Sequence, residues 1–249
     1  MIVDVHAHLE FDNFEKDRDE VVRRADKAGV VAVICNGTNP DYNRKILELS
    51  KKHNIIKAAL GYYPCECDKV SEEEIDKEIE FIRNNKDKVI AIGEVGLDKK
   101  HDHDFEKQKK YFRKFIELSK ELDIPIIVHS RFAEEETINI LEEEKATKVL
   151  MHCFSGNKKL VERIIKNKWY LSIPCNVVRS QQFQETVKMC PLNQILTETD
   201  SPFLTYDPSI ERNEPAYIIE SLKKIADIKG LNVEELKKII YTNYQRLFV

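Results

Sequence analysis

Eight short apolar runs, each followed by longer charged stretches whose apolar residues recur at helical spacing, succeed one another along the chain without a break. The runs occupy 2–5, 30–35, 55–60, 89–92, 125–128, 148–151, 169–173 and 194–196, and they are rich in β-branched residues. Apolar on both faces, they read as strands of a parallel sheet covered by helices. Helical spacing is seen over 15–28, 42–53, 72–84, 105–122, 134–144, 158–167 and 180–189, then over 214–228 and 233–241. Eight βα units in one series imply a closed barrel more than an open sheet. The expected class is therefore α/β, a (β/α)8 TIM barrel, as a single domain over residues 1–249. The length fits the about 250 residues usual for that architecture, and no Gly-, Ser- or Pro-rich stretch marks an interdomain linker.

Charge narrows the function classes. With 40 Lys and Arg against 44 Asp and Glu, the net charge is −4, so attachment to nucleic acid through bulk positive charge is disfavoured. No apolar run reaches the ~18 residues of a membrane span, and the first residues lack the pattern of a signal peptide. Six cysteines, Cys35, Cys65, Cys67, Cys153, Cys175 and Cys190, are scattered rather than framed. That usage suits a reducing, cytoplasmic compartment.

The chemistry lies at the carboxyl ends of the runs, which converge on one face of a barrel. The first ends in Asp4, His6 and His8, and period-two alternation points the two histidines the same way. The fourth ends in Gly93-Glu94, the fifth in His129, the sixth in His152 and the eighth in Glu198-Thr199-Asp200. A single histidine at a strand end is ordinarily a hydrogen-bonded loop residue. Four delivered to the same end by apolar strands, beside carboxylates, form the donor mixture of Zn²⁺, Mn²⁺ or a similar ion, whereas Mg²⁺ prefers oxygen alone. Buried without a metal or other partners, those carboxylates would cost several kcal/mol.

The stretches DVHAHLE, IGEVGLD, IPIIVHSR, MHCFSG, LTETDSPFL, RNEPA and NYQRLF, in that order from end to end, resemble the TatD family of metal-dependent hydrolases, described as deoxyribonucleases of the amidohydrolase superfamily. The resemblance implies a barrel with a centre of two divalent metals (Zn, Mn, Mg or similar). His6, His8 and Asp200 would hold one, His129 and His152 the other, and Glu94 would bridge them. It also implies a nucleic acid substrate, DNA first, no membrane association, and hydrolysis of phosphodiesters by activated water, with Asp200 and Glu94 as the catalytic carboxylates and Asp200 taking the proton. One position departs from the family pattern: a Gly-x-His-Pro segment is usual after strand three, and here Gly61-Tyr62-Tyr63-Pro64 stands there. Tyr63 could replace that histidine through its hydroxyl, or the substrate range could differ.

Other mouth residues carry two readings each. Arg131 could fork onto phosphate or pair with Glu134 or Glu135. Ser155-Gly156 could hold an anion at a helix start or serve as an ordinary cap, and Asn36-Gly37-Thr38 is similarly open. Glu198 could accept from a ligand or touch substrate. Arg212, in Arg212-Asn213-Glu214-Pro215, could brace the strand-eight loop or reach phosphate. The His101-Asp102-His103 repeat reads as a solvated loop, Cys65-Glu66-Cys67 as too closely spaced for a zinc pair, and Trp169 as structural. The rival activity is hydrolysis of an amide, lactone or ester such as aminoacyl-tRNA, because an activated water attacks carbon as well as phosphorus and fold does not fix function. A non-catalytic binding barrel would require a missing ligand, and none is missing.

Overall fold

The computed structural model describes residues 1–100 and 104–249, so the His101 to His103 repeat lies outside the described residues. Eight parallel strands are hydrogen-bonded in chain order: β1 (Ile2–Ala7), β2 (Val30–Asn36), β3 (Ile56–Leu60), β4 (Val89–Asp98), β5 (Ile126–Arg131), β6 (Val149–Met151), β7 (Tyr170–Ile173) and β8 (Ile195–Thr197). The ring closes just beyond β8. Asp200 N–H donates to His6 O and His8 N–H to Ser201 O, both at 2.8 Å, Ala7 bridges Ser201, and Thr197 Oγ1 donates to Val3 O at 3.0 Å. The expected (β/α)8 TIM barrel is the fold, with strand residues buried almost throughout.

Helices alternate with the strands: α1 (Arg18–Lys27), α2 (Pro40–Lys52), a single turn α3 (Pro64–Cys67), α4 (Glu72–Asn84), α5 (Phe105–Leu122), α6 (Glu134–Glu143), α7 (Lys158–Lys166), α8 (Gln181–Met189), α9 (Ile218–Lys229) and α10 (Val233–Phe248). Their starts follow local chemistry. Asn39, Ser71, Asp104, Asn157, Ser180 and Asn232 each accept from a first-turn backbone N–H, and Ser71 forms a reciprocal box with Glu74. Each such cap satisfies a donor that the helix itself leaves unpaired. None of the described helices is long and apolar enough to cross a membrane.

Several boundaries differ from the sequence expectation. α1 starts three residues late because Asp12–Phe14 forms a 3-10 turn ahead of it, and α9 starts at Ile218 because Pro215–Tyr217 does the same. α10 runs on to Phe248, burying Tyr244, Leu247 and Phe248. The largest difference is β4, which continues six residues past Ile92. Gly93 and Gly96 interrupt its β-branched run, yet they permit the strand rather than end it. Gly96 has φ +142°, and a Cβ there would lie 2.0 Å from His129 O, so only glycine lets β4 approach β5 this closely.

Candidate metal centre

His6 and His8 leave β1 on the same side, and their Nε2 atoms stand 3.2 Å apart. Each lies 3.5 Å from Glu94 Oε2 and 3.6–3.7 Å from Asp200 Oδ1. The other Glu94 oxygen, Oε1, lies 2.8 Å from His129 Nδ1 and 3.5 Å from His152 Nε2. His6 also stacks on His152, ring centroids 3.6 Å apart. Three compact donor sets result among the described residues: His6, His8 and Asp200; Glu94, His129 and His152; and a third, His6, His152 and Glu198, that overlaps the first two. All six residues predicted as ligands therefore converge on the barrel mouth from β1, β4, β5, the turn after β6 and the turn after β8.

The backing hydrogen bonds fix which imidazole atoms are free. His8 Nδ1 donates to the Asn36 carbonyl at 3.0 Å and lies 3.1 Å from Glu10, which leaves Nε2 with its lone pair toward the centre. His152 Nδ1 meets Glu198 Oε2 at 3.1 Å, an oxygen that also accepts from Ser172 Oγ at 2.5 Å. His129 Nε2 meets Asp98 Oδ2 at 3.0 Å. With these tautomers, three nitrogen lone pairs face the oxygens of Glu94 and Asp200, an arrangement that is repulsive unless a proton or a cation stands between them. Acceptors behind ligating histidines are the usual means of holding such rings for a metal.

With no cation between them, protons relieve that repulsion: burial opposes charge on His8, His129 and His152, yet Asp200 and Glu10 draw His8 well above its ordinary value, Asp98 and Glu94 raise His129, and Glu198 brings His152 up to about 9. Burial would raise the Glu94 carboxyl, but hydrogen bonds from His129 and His6 outweigh it and hold the group well below the ordinary carboxylate range. Burial likewise opposes ionisation of Asp200, and contact with His8 and the neighbouring imidazoles brings it below its usual value. His6 is pushed down to about 3, first by desolvation and then by the charge of His152. Two buried carboxylates held ionised among four imidazoles, one pushed toward its neutral form and three holding protons where a cation could stand, form a donor set whose chemistry fits a divalent ion.

A cavity of about 750 Å³ opens above these residues, and Tyr63, Arg131 and Ser155 line it together with His8, Glu94, His129, His152 and Asp200. Tyr63 OH donates to Asp98 Oδ2 at 2.8 Å and lies 3.5 Å from His129 Nε2. Burial, together with the charges of Glu94 and Asp98, pushes its phenol well above the ordinary value, so it is a neutral donor. Arg131 is half exposed, its Nε 3.9 Å from Asp98 Oδ2. Glu134, one expected partner of Arg131, accepts instead from Ser155 Oγ at 2.9 Å. Ser155-Gly156 does not open the next helix, because Asn157 caps α7.

Two expected substrate contacts do not line the cavity. Glu198 is fully buried behind His152. Arg212 holds both Asp17 oxygens, at 2.8 and 2.6 Å, and the Asn13 carbonyl at 2.7 Å, which makes it a brace for the loop after β8. Reading the sequence missed Asp98, hidden because strand four was ended at Ile92, and Glu10. Extending the His6, His8 alternation by one more step would have found Glu10.

The chain matches known proteins over its whole length. Residues 3–249 fit the family described as TatD related DNase. The deoxyribonuclease TATDN3 of Homo sapiens is 37% identical, covering 99% of this chain and 94% of that protein. A metal-dependent hydrolase of Methanocaldococcus jannaschii, otherwise uncharacterized, is 37% identical over 99% and 96%. The solved structure of the TatD homologue YjjV from Escherichia coli K12 superposes with a TM-score of 0.93 at 25% identity, covering 99% of this chain and 97% of that one. With six donors converging on one mouth and a family match from Val3 to Val249, this chain belongs to the TatD related DNase family.

Proposed function

We propose that residues 1–249 act as one catalytic domain, a deoxyribonuclease that binds two divalent cations and cleaves phosphodiesters with water. The observation that carries the two-cation reading is the division of Glu94. Its Oε2 faces the His6 and His8 nitrogens, whereas its Oε1 faces those of His129 and His152. A carboxylate with each oxygen turned to a different histidine pair is suited to bridging. Divalent cations bound there supply Lewis acidity, lowering the pKa of water and withdrawing charge from a phosphoryl oxygen.

The chain's own residues do the rest. Asp200 is ionised and lines the cavity, so it accepts the proton of the attacking water. Arg131, half exposed at the rim, can neutralise a phosphate that flanks the scissile one. Asp98 and Glu198 hold the His129 and His152 rings. Ser155 lines the cavity, its hydroxyl donating to Glu134, and does not open the following helix. DNA as the substrate is supported by the human relative's name, deoxyribonuclease. The unpaired cysteines support work in a reducing, cytoplasmic compartment.

The test is reconstitution with Zn²⁺, Mn²⁺ or Mg²⁺ and assay on end-labelled single- and double-stranded DNA, RNA and abasic DNA, beside panels of esters, lactones and amides. Metal-dependent cleavage of DNA strands is expected, with cation stoichiometry near two per chain. Turnover confined to esters, lactones or amides would replace this reading with acyl hydrolysis.

A further inference from the structure

The structure assigns a second recognition element to this mouth: we infer that Phe203, with Phe11 and Tyr42, forms a stacking wall for an unpaired nucleobase beside the scissile phosphate. The inference rests on the phosphodiesterase reading and extends it from the bond cut to the strand that carries it.

Phe203 is 52% exposed, one of few large apolar side chains left in solvent, and it lines the cavity over the centre. It is not a loose loop residue. Its N–H donates to the carbonyl of Asp200 at 2.8 Å, and its own carbonyl accepts from buried Asn213 Nδ2 at 2.7 Å, which also holds Thr199 O at 2.8 Å. The backbone that carries the ring is therefore fixed three residues from a proposed ligand, so little backbone freedom is lost when something stacks on it. Phe11 lies 6.3 Å from it at 69°, and Tyr42 lies 5.0 Å from Phe11. Phe11 in turn stacks on His8, 4.6 Å apart at 13°. The wall is thus continuous with the centre.

Ring order gives the wall a direction. Phe11 follows β1, Tyr42 belongs to the unit after β2 and Phe203 follows β8, which are three neighbours in the closed sheet. Arg131 ends β5, four strands from β1 and hence across the mouth. Apolar planes on one side and a guanidinium on the other, with the cation donors between, match one nucleotide unit: base, scissile phosphate, next phosphate. A paired base keeps its faces in the duplex stack, so the wall selects single strands or frayed ends. Aromatic faces accept any base, which makes the selection independent of sequence.

The experiment compares a fluorescent single-stranded oligothymidylate with an abasic strand of the same length. Binding to the full, metal-loaded chain is read by anisotropy with phosphorothioate strands that resist cleavage, and cleavage is read with unmodified strands. The wild-type protein is expected to favour the intact strand at least fivefold, about 1 kcal/mol at 1.4 kcal/mol per tenfold. F203A should bring that ratio to within twofold of one, the change lying in KM more than kcat, and F203W should keep it. A ratio that survives F203A, or no wild-type preference at all, overturns the wall. If Phe203-dependent preference appears in binding while no phosphodiester is cleaved, the parent reading falls and the wall stands.

Discussion

Asp98 Oδ2 stands 3.0 Å from His129 Nε2, and the other nitrogen of that ring stands 2.8 Å from Glu94 Oε1. One strand thus supplies the carboxylate in front of the imidazole and the carboxylate behind it. Desolvation opposes charge on Asp98, but His129, the Lys100 N–H at 2.7 Å and Tyr63 together keep it far below the usual carboxylate range. An ionised acceptor there fixes the proton on Nε2 and leaves Nδ1 free for a cation. Asp98→Ala is expected to weaken cation binding about 10–100-fold, and Asp98→Asn, which keeps an acceptor without the charge, to weaken it less. Metal retained after dialysis, quantified by plasma mass spectrometry, reads the difference. Equal retention in wild type and Asp98→Ala would remove the orienting role.

Glu94→Gln and Asp200→Asn preserve volume but remove charge from the centre. Each should lower turnover by at least about 10³-fold. Glu94→Gln should also lower metal content, because both of its oxygens face histidines. Thermal unfolding of the metal-free variants should remain cooperative, since loss of a buried charge also removes its desolvation cost. Near-normal turnover in either metal-saturated variant would be incompatible with the assigned roles.

Tyr63 occupies the position where the sequence leaves the family pattern, and its hydroxyl points at Asp98 rather than at a cavity proton path. Tyr63→Phe removes one of the hydrogen bonds to Asp98, a loss of about 1 kcal/mol, so kcat/KM should fall about fivefold with an unchanged pH profile. In a double-mutant cycle, Tyr63→Phe should cost little once Asp98 is already alanine. A shifted pH optimum, or fully additive losses, would instead make the hydroxyl a proton carrier.

Arg212 braces the loop after β8 through Asp17. That contact, first through its hydrogen bonds, lowers the Asp17 carboxyl below its ordinary 3.8. A carboxyl whose folded value is depressed stabilises the protein above its unfolded pKa and loses that contribution as pH falls through the folded value. Arg212→Ala should therefore cost about 0.5–1 kcal/mol near neutrality, and the gap in Tm from wild type should close as pH drops below about 4. A gap that persisted in acid would trace the loss to packing of Arg212 over Phe14 instead.

The barrel was readable because each strand contains a short, largely apolar run and the helices between them carry a helical period, signals that survive without tertiary information. The six candidate ligands were readable because they lie in or just past the carboxyl ends of those runs. Asp98 was not, since Gly93 and Gly96 look like strand breakers until β5 is seen pressed against them. Arg212 was open to two roles because its partner Asp17 lies 195 residues away in sequence. Phe203 looked like part of a family motif, and only its exposure sets it apart.

The ring of strands has a seam between its first and last members, sewn by an isolated bridge and by side chains, including Thr199 on Asp4, 195 residues apart in sequence. His6 and His8 stand on one side of that seam and Asp200 on the other. A cation held by all three would be a clasp between the two ends of the barrel, and its departure would free the join as well as the active site. Chelation should quicken amide hydrogen exchange first at the Asp200 and His8 amides, whose bonds cross the seam, leaving the β2 to β7 ladder protected. Resistance to heat and capacity for catalysis would then decline together as the ion is withdrawn, because the same three side chains serve both.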